Sequence, residues 1–459
     1  MSQQARIISL GGAYSIVVGS MLGIGIFLSP PEMARAVSSP IVFLAIWAAA
    51  GLIVLGGAVA YAELGARMPK AGGDYIFLRE AMGPSVAFAA GWTLFAAIFS
   101  GSIAAVALAM CHYQIPALTG WDLQQAVFSL PWVGDVSRAQ LMASVIVMAL
   151  TGLNALGVKP AAWTQELTTL LPLALLFVLA IVALVLWGAD ASPAAVAPTE
   201  PLPLSLDGIV TAYMAAYFAY SGWNAVIYVA GEVEQPERNI PRSLIGGTLS
   251  VTALYMVMCA GFLAVLGMGG LASVGEAGSE VAGALSGSGA RWAMSGLVLL
   301  CLVASLNGTV LGGGRVGYAM GLDRVLMQRA GRLSPRTGTP TFALWLQGLW
   351  AVALVLSNRF DQLLQAVSLA MVVVGSLTVA CVFVMRRREG PPRGWAAWGY
   401  PWLPGLYLGS SALVVGVKVH GVFTDEGQSA APLLGLAVVL AAFLAHRVMR
   451  MRRAVGAAP

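Results

Sequence analysis

Charge is scarce in this chain of 459 residues: Asp, Glu, Lys and Arg supply 10% of it, against about 25% in an average soluble domain. With 59% of its residues apolar, the chain cannot cover a water-facing surface, and low-complexity disorder and nucleic-acid binding are excluded by the same shortage. Histidine occurs three times and cysteine four times, at Cys111, Cys259, Cys301 and Cys381. No C-x-x-C pair exists, so no disulfide framework, metal site or cofactor is expected. Near mid-membrane there is no H-E-x-x-H, G-x-S-x-G or Asp/His cluster to support an enzyme, and no selectivity filter or charged ring to support a channel. What the chain does have is apolar runs of 18 or more residues, recurring as far as residue 449. Each is long enough to cross a hydrocarbon core of about 30 Å.

Set against Gly, Pro and charge breaks, these runs predict an all-α integral membrane protein with twelve spans, at about 10–36, 41–66, 84–111, 138–157, 160–188, 208–233, 243–267, 290–316, 340–357, 361–385, 400–422 and 430–449. Ala34-Arg35-Ala36 resembles a signal-peptidase site, but the run before it is too long and Gly-interrupted, so a retained first helix is expected. The stretch after the third span, with Pro116, Trp121, Pro131 and Trp132, reads as a longer external loop, and 317–340 as a cytoplasmic loop with a short surface helix. Lys and Arg collect on the cytoplasmic side of membranes. Placing both termini in the cytoplasm puts 20 of the 25 basic residues inside and leaves outside only Arg35, Arg138, Arg291, Arg359 and Lys418. The net charge of +5 then reflects topology and contact with anionic lipid, in a multi-pass protein of the cell membrane.

Two spans are interrupted. The first contains Gly19-Ser20-Met21-Leu22-Gly23-Ile24-Gly25, and the sixth Phe218-Ala219-Tyr220-Ser221-Gly222-Trp223-Asn224. These are corresponding positions if spans 1 to 5 and 6 to 10 form two halves, and paired interruptions of this kind point to a transporter binding site. Unwinding a helix in hydrocarbon frees backbone N–H and C=O groups that need protein, water or ligand as partners. The restarted helix also presents the positive end of its dipole. Amides near Gly23 to Gly25 suit a carboxylate, and carbonyls at Met21 and from Phe218 through Ala219 to Ser221 suit an ammonium group; together they describe an α-amino acid head group. The competing reading of the glycines is close helix packing. Phe218 is expected to be a lid over the substrate, with plain core as the alternative. Asn224 at that depth needs a partner.

At these residues the chain resembles the amino acid–polyamine–organocation superfamily, and within it the L-type amino acid transporter-like family. The first span resembles G-[ST]-x-x-G-x-G-I-F; Tyr61-Ala62-Glu63-Leu64-Gly65 and Pro69 to Tyr75 resemble the second span and first internal loop. Phe218 to Asn224 matches F-A-Y-x-G-W-N, Glu232 through Pro241 follows that span's exit, and Ser305 to Gly308 with Arg315 resembles the eighth span. The resemblance implies the 5+5 inverted-repeat fold of the sodium-coupled leucine transporter (LeuT-like), with broken helices 1 and 6: residues 1–188 form the first repeat, 189–393 the second, and 394–459 two further spans and a cytoplasmic tail, all in one structural domain. It places the carboxylate on the backbone of Ile24 and Gly25 with help from Ser20 and Gly23, the ammonium on carbonyls of Met21, Phe218 and Ser221, and the gate at Phe218.

Two positions depart from the family. Ile24 replaces a frequent Ser, moving the carboxylate further onto the backbone. Val158-Lys159 and Gln165 match the fifth span, but Pro172 stands where many relatives have a Lys tied to coupling, which leaves the driving ion, protons included, open. Glu63 and Glu166 read as ion pairs or snorkelled carboxylates rather than proton relays, and Glu232 and Asp74 as parts of a cytoplasmic gate with a basic partner such as Arg315. His112, His420 and His446 sit at span ends, with no shuttle role.

A side-chain pocket of Ala, Gly, Ser, Val and Phe favours neutral L-amino acids, since burying an unpaired charge costs several kcal/mol. The expected function is a secondary active amino acid transporter, working by exchange or proton-coupled symport. The alternatives are an amino acid sensor on a transporter fold and a permease for cationic amino acids or amines. A heavy-chain partner is not indicated, Cys111 reading as an ordinary membrane cysteine.

Overall fold

The computed structural model describes residues 6–131, 134–187, 205–357, 360–424, 437, 440–444, 446 and 447. Among these, nine helical stretches are long and apolar enough to cross a membrane, and two shorter apolar helices accompany them. Eleven of the expected spans coincide with these helices. The twelfth, 430–449, lies largely outside the described residues.

The first span is two helices, α1 (Leu10–Met21) and α2 (Gly25–Ala36), followed by α3 (Pro40–Arg67), which starts on Pro40 with the Ser39 hydroxyl accepting from the Val42 amide. A short helix, α4 (Asp74–Met82), then precedes the third span. The apolar count passes over it because it carries Asp74, Arg79 and Glu80. Gly83 ends it at φ 91°, a backbone state that glycine adopts freely, and Pro84 opens the next helix.

The third span runs from α5 (Pro84–Trp92) through a π-helical segment at Thr93–Phe99 to α6 (Ser100–Ala109), a second such segment at Met110–Gln114, and α7 (Ile115–Thr119). It therefore reaches eight residues beyond the expected end at 111. The loop that follows it contains a hairpin of β1 (Ala126–Leu130) and β2 (Gly134–Ser137), which the sequence reading leaves irregular.

Next come α8 (Arg138–Leu156), opened by a capping box of Ser137 and Gln140, and α9 (Val158–Trp187), which contains Pro172. The sixth span is α10 (Leu206–Ala219) and, after a break, a 3-10 helix at Ala225–Glu232. Beyond it are α11 (Pro236–Ser273), bent at Gly267, and α12 (Ala277–Leu322), interrupted at Ser286 and Gly287. Pro236 starts α11 seven residues before the expected 243, and α12 starts at Ala277, 13 residues before the expected 290. The expected surface helix in 317–340 is a 3-10 turn at Gln328–Gly331. The described helices end with α13 (Thr341–Leu356), α14 (Phe360–Glu389) and α15 (Trp402–Thr424). Apolar residues of both broken spans, with α3, α6, α11 and α12, share one core around the breaks.

Candidate functional site

The first helix stops where Leu22 takes φ −72° and ψ 61°, closing a tight turn in which the Gly23 amide donates to the Met21 carbonyl at 2.7 Å. The chain restarts as α2, and the amides of Ile24, Gly25 and Ile26 have no backbone acceptor among the described residues. Three open donors at the head of a 12-residue helix form an anion cradle on general grounds.

The second break runs from Tyr220 to Asn224 and turns on Gly222, whose φ of 93° is a left-handed state that other residues rarely adopt. The two breaks cross. A Cβ at Gly222 would stand 2.5 Å from the Ser20 carbonyl oxygen, and one at Gly25 would collide with the Ala219 backbone. Tyr255, on α11, ties them together by donating to the Met21 carbonyl at 2.6 Å and lying 3.1 Å from that of Ala219. Gly25 thus serves close packing and lines the cavity at once, and the two readings of the glycines do not compete.

A cavity of about 150 Å³ opens at this crossing, and Ser20, Met21, Gly23, Ile24, Gly25, Phe218, Ala219, Ser221 and Asn224 all line it. The free acceptors differ from the expected set. The Met21 carbonyl already receives the Gly23 amide and the Tyr255 hydroxyl, and that of Phe218 receives the Ser221 amide at 3.0 Å. The carbonyls of Ser20 and Ser221 have no backbone donor among the described residues. The Ser20 hydroxyl is buried without a hydrogen-bond partner, beside Gly308 of α12. A group with N–H donors would satisfy all three oxygens.

Away from the breaks the wall is mostly apolar, formed by Leu28, Leu94, Ile98, Phe99, Val106 and Met371, with half-buried Phe218 facing in. The π-helical turn of the third span brings Leu94, Ile98 and Phe99 to this wall, in keeping with the placing of such turns at functional sites. Sequence reasoning missed Tyr61, Asp74, Tyr217 and Tyr228, which also line the cavity, and Tyr255 behind it.

The charged residues sort themselves. Arg315 and Glu232 form a bidentate pair at 3.0 and 3.1 Å, with both side chains at or below 2% exposure. Glu63 binds Arg386, Arg67 and the Ala397 amide, a structural ion-pair cluster. Glu166 packs against Gly12 of α1. Asp74 does not join Arg315, contrary to expectation; its two carboxylate oxygens accept instead from the hydroxyls of Tyr61 and Tyr228. Behind the first break, Asn154, Asn307 and Gln165 form a buried amide chain that continues to Thr169. Gly19 packs closely on its Gln165 and Thr169 end.

Open amide donors and open carbonyl acceptors converging on one cavity among helices long enough to cross a membrane fit a carrier of small zwitterions. Residues 8–443 match the amino acid permease family, and the chain belongs to that family of multi-pass membrane transporters, which are not enzymes. It is similar to the serine/threonine exchanger SteT of Bacillus subtilis, with 28% identity over 88% of this chain and 89% of that protein. It is also similar to the human b(0,+)-type amino acid transporter 1, 28% identical over 81% and 74% of the two chains. The rabbit large neutral amino acids transporter small subunit 2 is 27% identical over 83% and 70%.

Proposed function

We propose that this protein is a secondary active transporter that moves neutral L-amino acids across the cell membrane by alternating access. The observation that carries this reading is the crossing of the two helix breaks. The α-carboxylate would lie on the Ile24, Gly25 and Ile26 amides, and the ammonium on the Ser20 and Ser221 carbonyls. In this reading the chain has twelve spans arranged as 1–188, 189–393 and 394–459, an inverted-repeat fold of the leucine-transporter type and both termini in the cytoplasm. The close meeting of the two breaks and the basic-residue pattern support it. The apolar wall favours neutral side chains. Asp74 on the cavity lining supports a second reading, a permease for cationic amino acids or amines. Cys111 is buried and so poorly placed for a disulfide to a partner chain.

Proteoliposomes loaded with unlabelled amino acid and supplied with labelled L-serine, L-leucine, L-lysine or L-glutamate test this. Uptake of serine or leucine that rises several-fold with internal amino acid is expected. Preferential lysine uptake would establish the second reading. Binding without uptake would mean a sensor.

Phe218 lines the cavity, and in this reading its ring closes over bound substrate, since sealing substrate from water is a precondition for moving it. Phe218→Ala should lower uptake by about tenfold, equivalent to roughly 1.4 kcal/mol in a rate, with little change in thermal stability because the ring is only half-buried. Normal uptake by that variant would rule out the lid.

A further inference from the structure

Asp74 is 1% exposed and is a lining residue of the cavity. A carboxylate in that position ordinarily pairs with a cation. Here Tyr61 of α3 donates to one oxygen and Tyr228 of the 3-10 helix to the other. The Thr378 hydroxyl and Cys381 approach from α14, with Tyr217 and Tyr407 further off on α10 and α15. On the α12 side the charged groups are Asp323 and Arg79, which pair with each other, Tyr75 also donating to Asp323. No Lys, Arg or His forms an ion pair with Asp74 among the described residues.

Two opposing effects meet at this group. Burial without a counter-charge favours the neutral acid, whereas hydroxyl donors favour the carboxylate. Burial is the larger effect and raises the Asp74 carboxyl, in α4 outside the spanning helices, above its ordinary value. Tyr228 also connects this acid to the substrate end of the cavity, because the Asn224 amide donates to the Tyr228 hydroxyl at 3.3 Å.

We infer that Asp74 is the binding site for a proton coupled to amino acid transport, and that Tyr228 communicates its protonation to Asn224 in the substrate cavity. A proton arriving from water turns one carboxylate oxygen into an O–H donor. The tyrosine on that oxygen then accepts instead of donating. If it is Tyr228, its own hydrogen turns toward Asn224, whose amide N–H already points at that hydroxyl; Asn224 must then turn its Oδ1 to accept or leave the contact, so substrate contacts and protonation state change together. The inference rests on the transport reading above and extends it.

The test uses the full-length protein in vesicles holding a pH-sensitive dye, with labelled L-leucine and L-serine outside. Exchange against internal amino acid, measured in parallel, reports on transport itself. Wild-type protein should acidify the lumen as amino acid enters, and an inward proton gradient should raise accumulation several-fold. Asp74→Asn should abolish both responses. Tyr228→Phe removes a donor from the carboxylate, destabilises the charged form, and should move the midpoint of the pH dependence to higher pH.

If wild-type protein exchanges amino acids but moves no protons, the proton site is overturned and the transport reading stands. If wild-type protein neither exchanges nor accumulates, both fall. Proton movement that survives Asp74→Asn also overturns the site. Should Asp74→Asn fail to exchange at all, the Tyr228→Phe midpoint decides: an upward shift supports the site, and an unmoved midpoint overturns it.

Discussion

Replacing Arg315 with Met is expected to lower stability by about 3–5 kcal/mol, the usual result of leaving one member of a buried ion pair uncompensated. Neither Arg315 nor Glu232 has access to water, so the remaining carboxylate would keep its desolvation penalty and lose its bidentate partner. The Glu232 carbonyl also receives the amides of Ile7 and Ile8, both at 2.9 Å, so the same residue anchors the N-terminal segment. The double variant Arg315→Met with Glu232→Met removes both charges and should recover most of the lost stability, because apolar replacements of buried pairs are often neutral. Thermal unfolding in detergent, read by loss of the monodisperse peak, gives the comparison. A double variant no more stable than Arg315→Met alone would show that the destabilisation comes from lost packing and not from the orphaned charge. If the pair is a cytoplasmic gate, the double variant should remain impaired in uptake after its stability has returned.

Gly25→Val should all but eliminate binding. Its Cβ alone would overlap the Ala219 backbone, so the two broken helices must separate and carry the amide cradle away from its opposing carbonyls. Overpacking of this kind costs about 1–3 kcal/mol, and more where backbone must move. Gly23→Ala is the control: its Cβ meets the Ser305 hydroxyl at 3.0 Å, a side chain that can rotate aside. Equilibrium binding of labelled L-serine or L-leucine should therefore fall far more for Gly25→Val than for Gly23→Ala. Unchanged affinity in the valine variant would exclude a head-group site at this crossing.

Both breaks were legible because helix-disfavouring residues inside long apolar runs have few explanations in a membrane. The nine residues expected at the site line the cavity because they belong to these two breaks. Which main-chain atoms remain free was not: the Met21 carbonyl is taken by Tyr255, 234 positions away, in an α11 segment that reads as ordinary apolar helix. The surroundings of Asp74 were hidden similarly. Tyr61 precedes it by 13 residues and Tyr228 follows it by 154, and a tyrosine in an apolar run does not reveal whether its hydroxyl will point at an acid. The π-helical turns escaped notice because they widen a helix without interrupting its hydropathy. The helix α4 escaped because it is too polar and short to register as a span.

Trp47 of α3 packs on Tyr220 and Tyr255 with ring centres 5.8 and 5.6 Å away, and accepts the Tyr220 hydroxyl at its carbonyl. With the bonds from Tyr255 to Met21 and Ala219, this joins α1, α3, α10 and α11 through directional contacts around one aromatic knot. A rigid-body displacement of these helices would keep that knot intact and place its slip plane elsewhere, for instance where Tyr228 meets the edge of Phe99 with ring centres 4.9 Å apart. Such a contact slides with little enthalpic loss, whereas the Arg315 guanidinium reaches across to the 3-10 segment as a strong oriented bond. A displacement across that boundary would have to break this bond or carry both of its partners together.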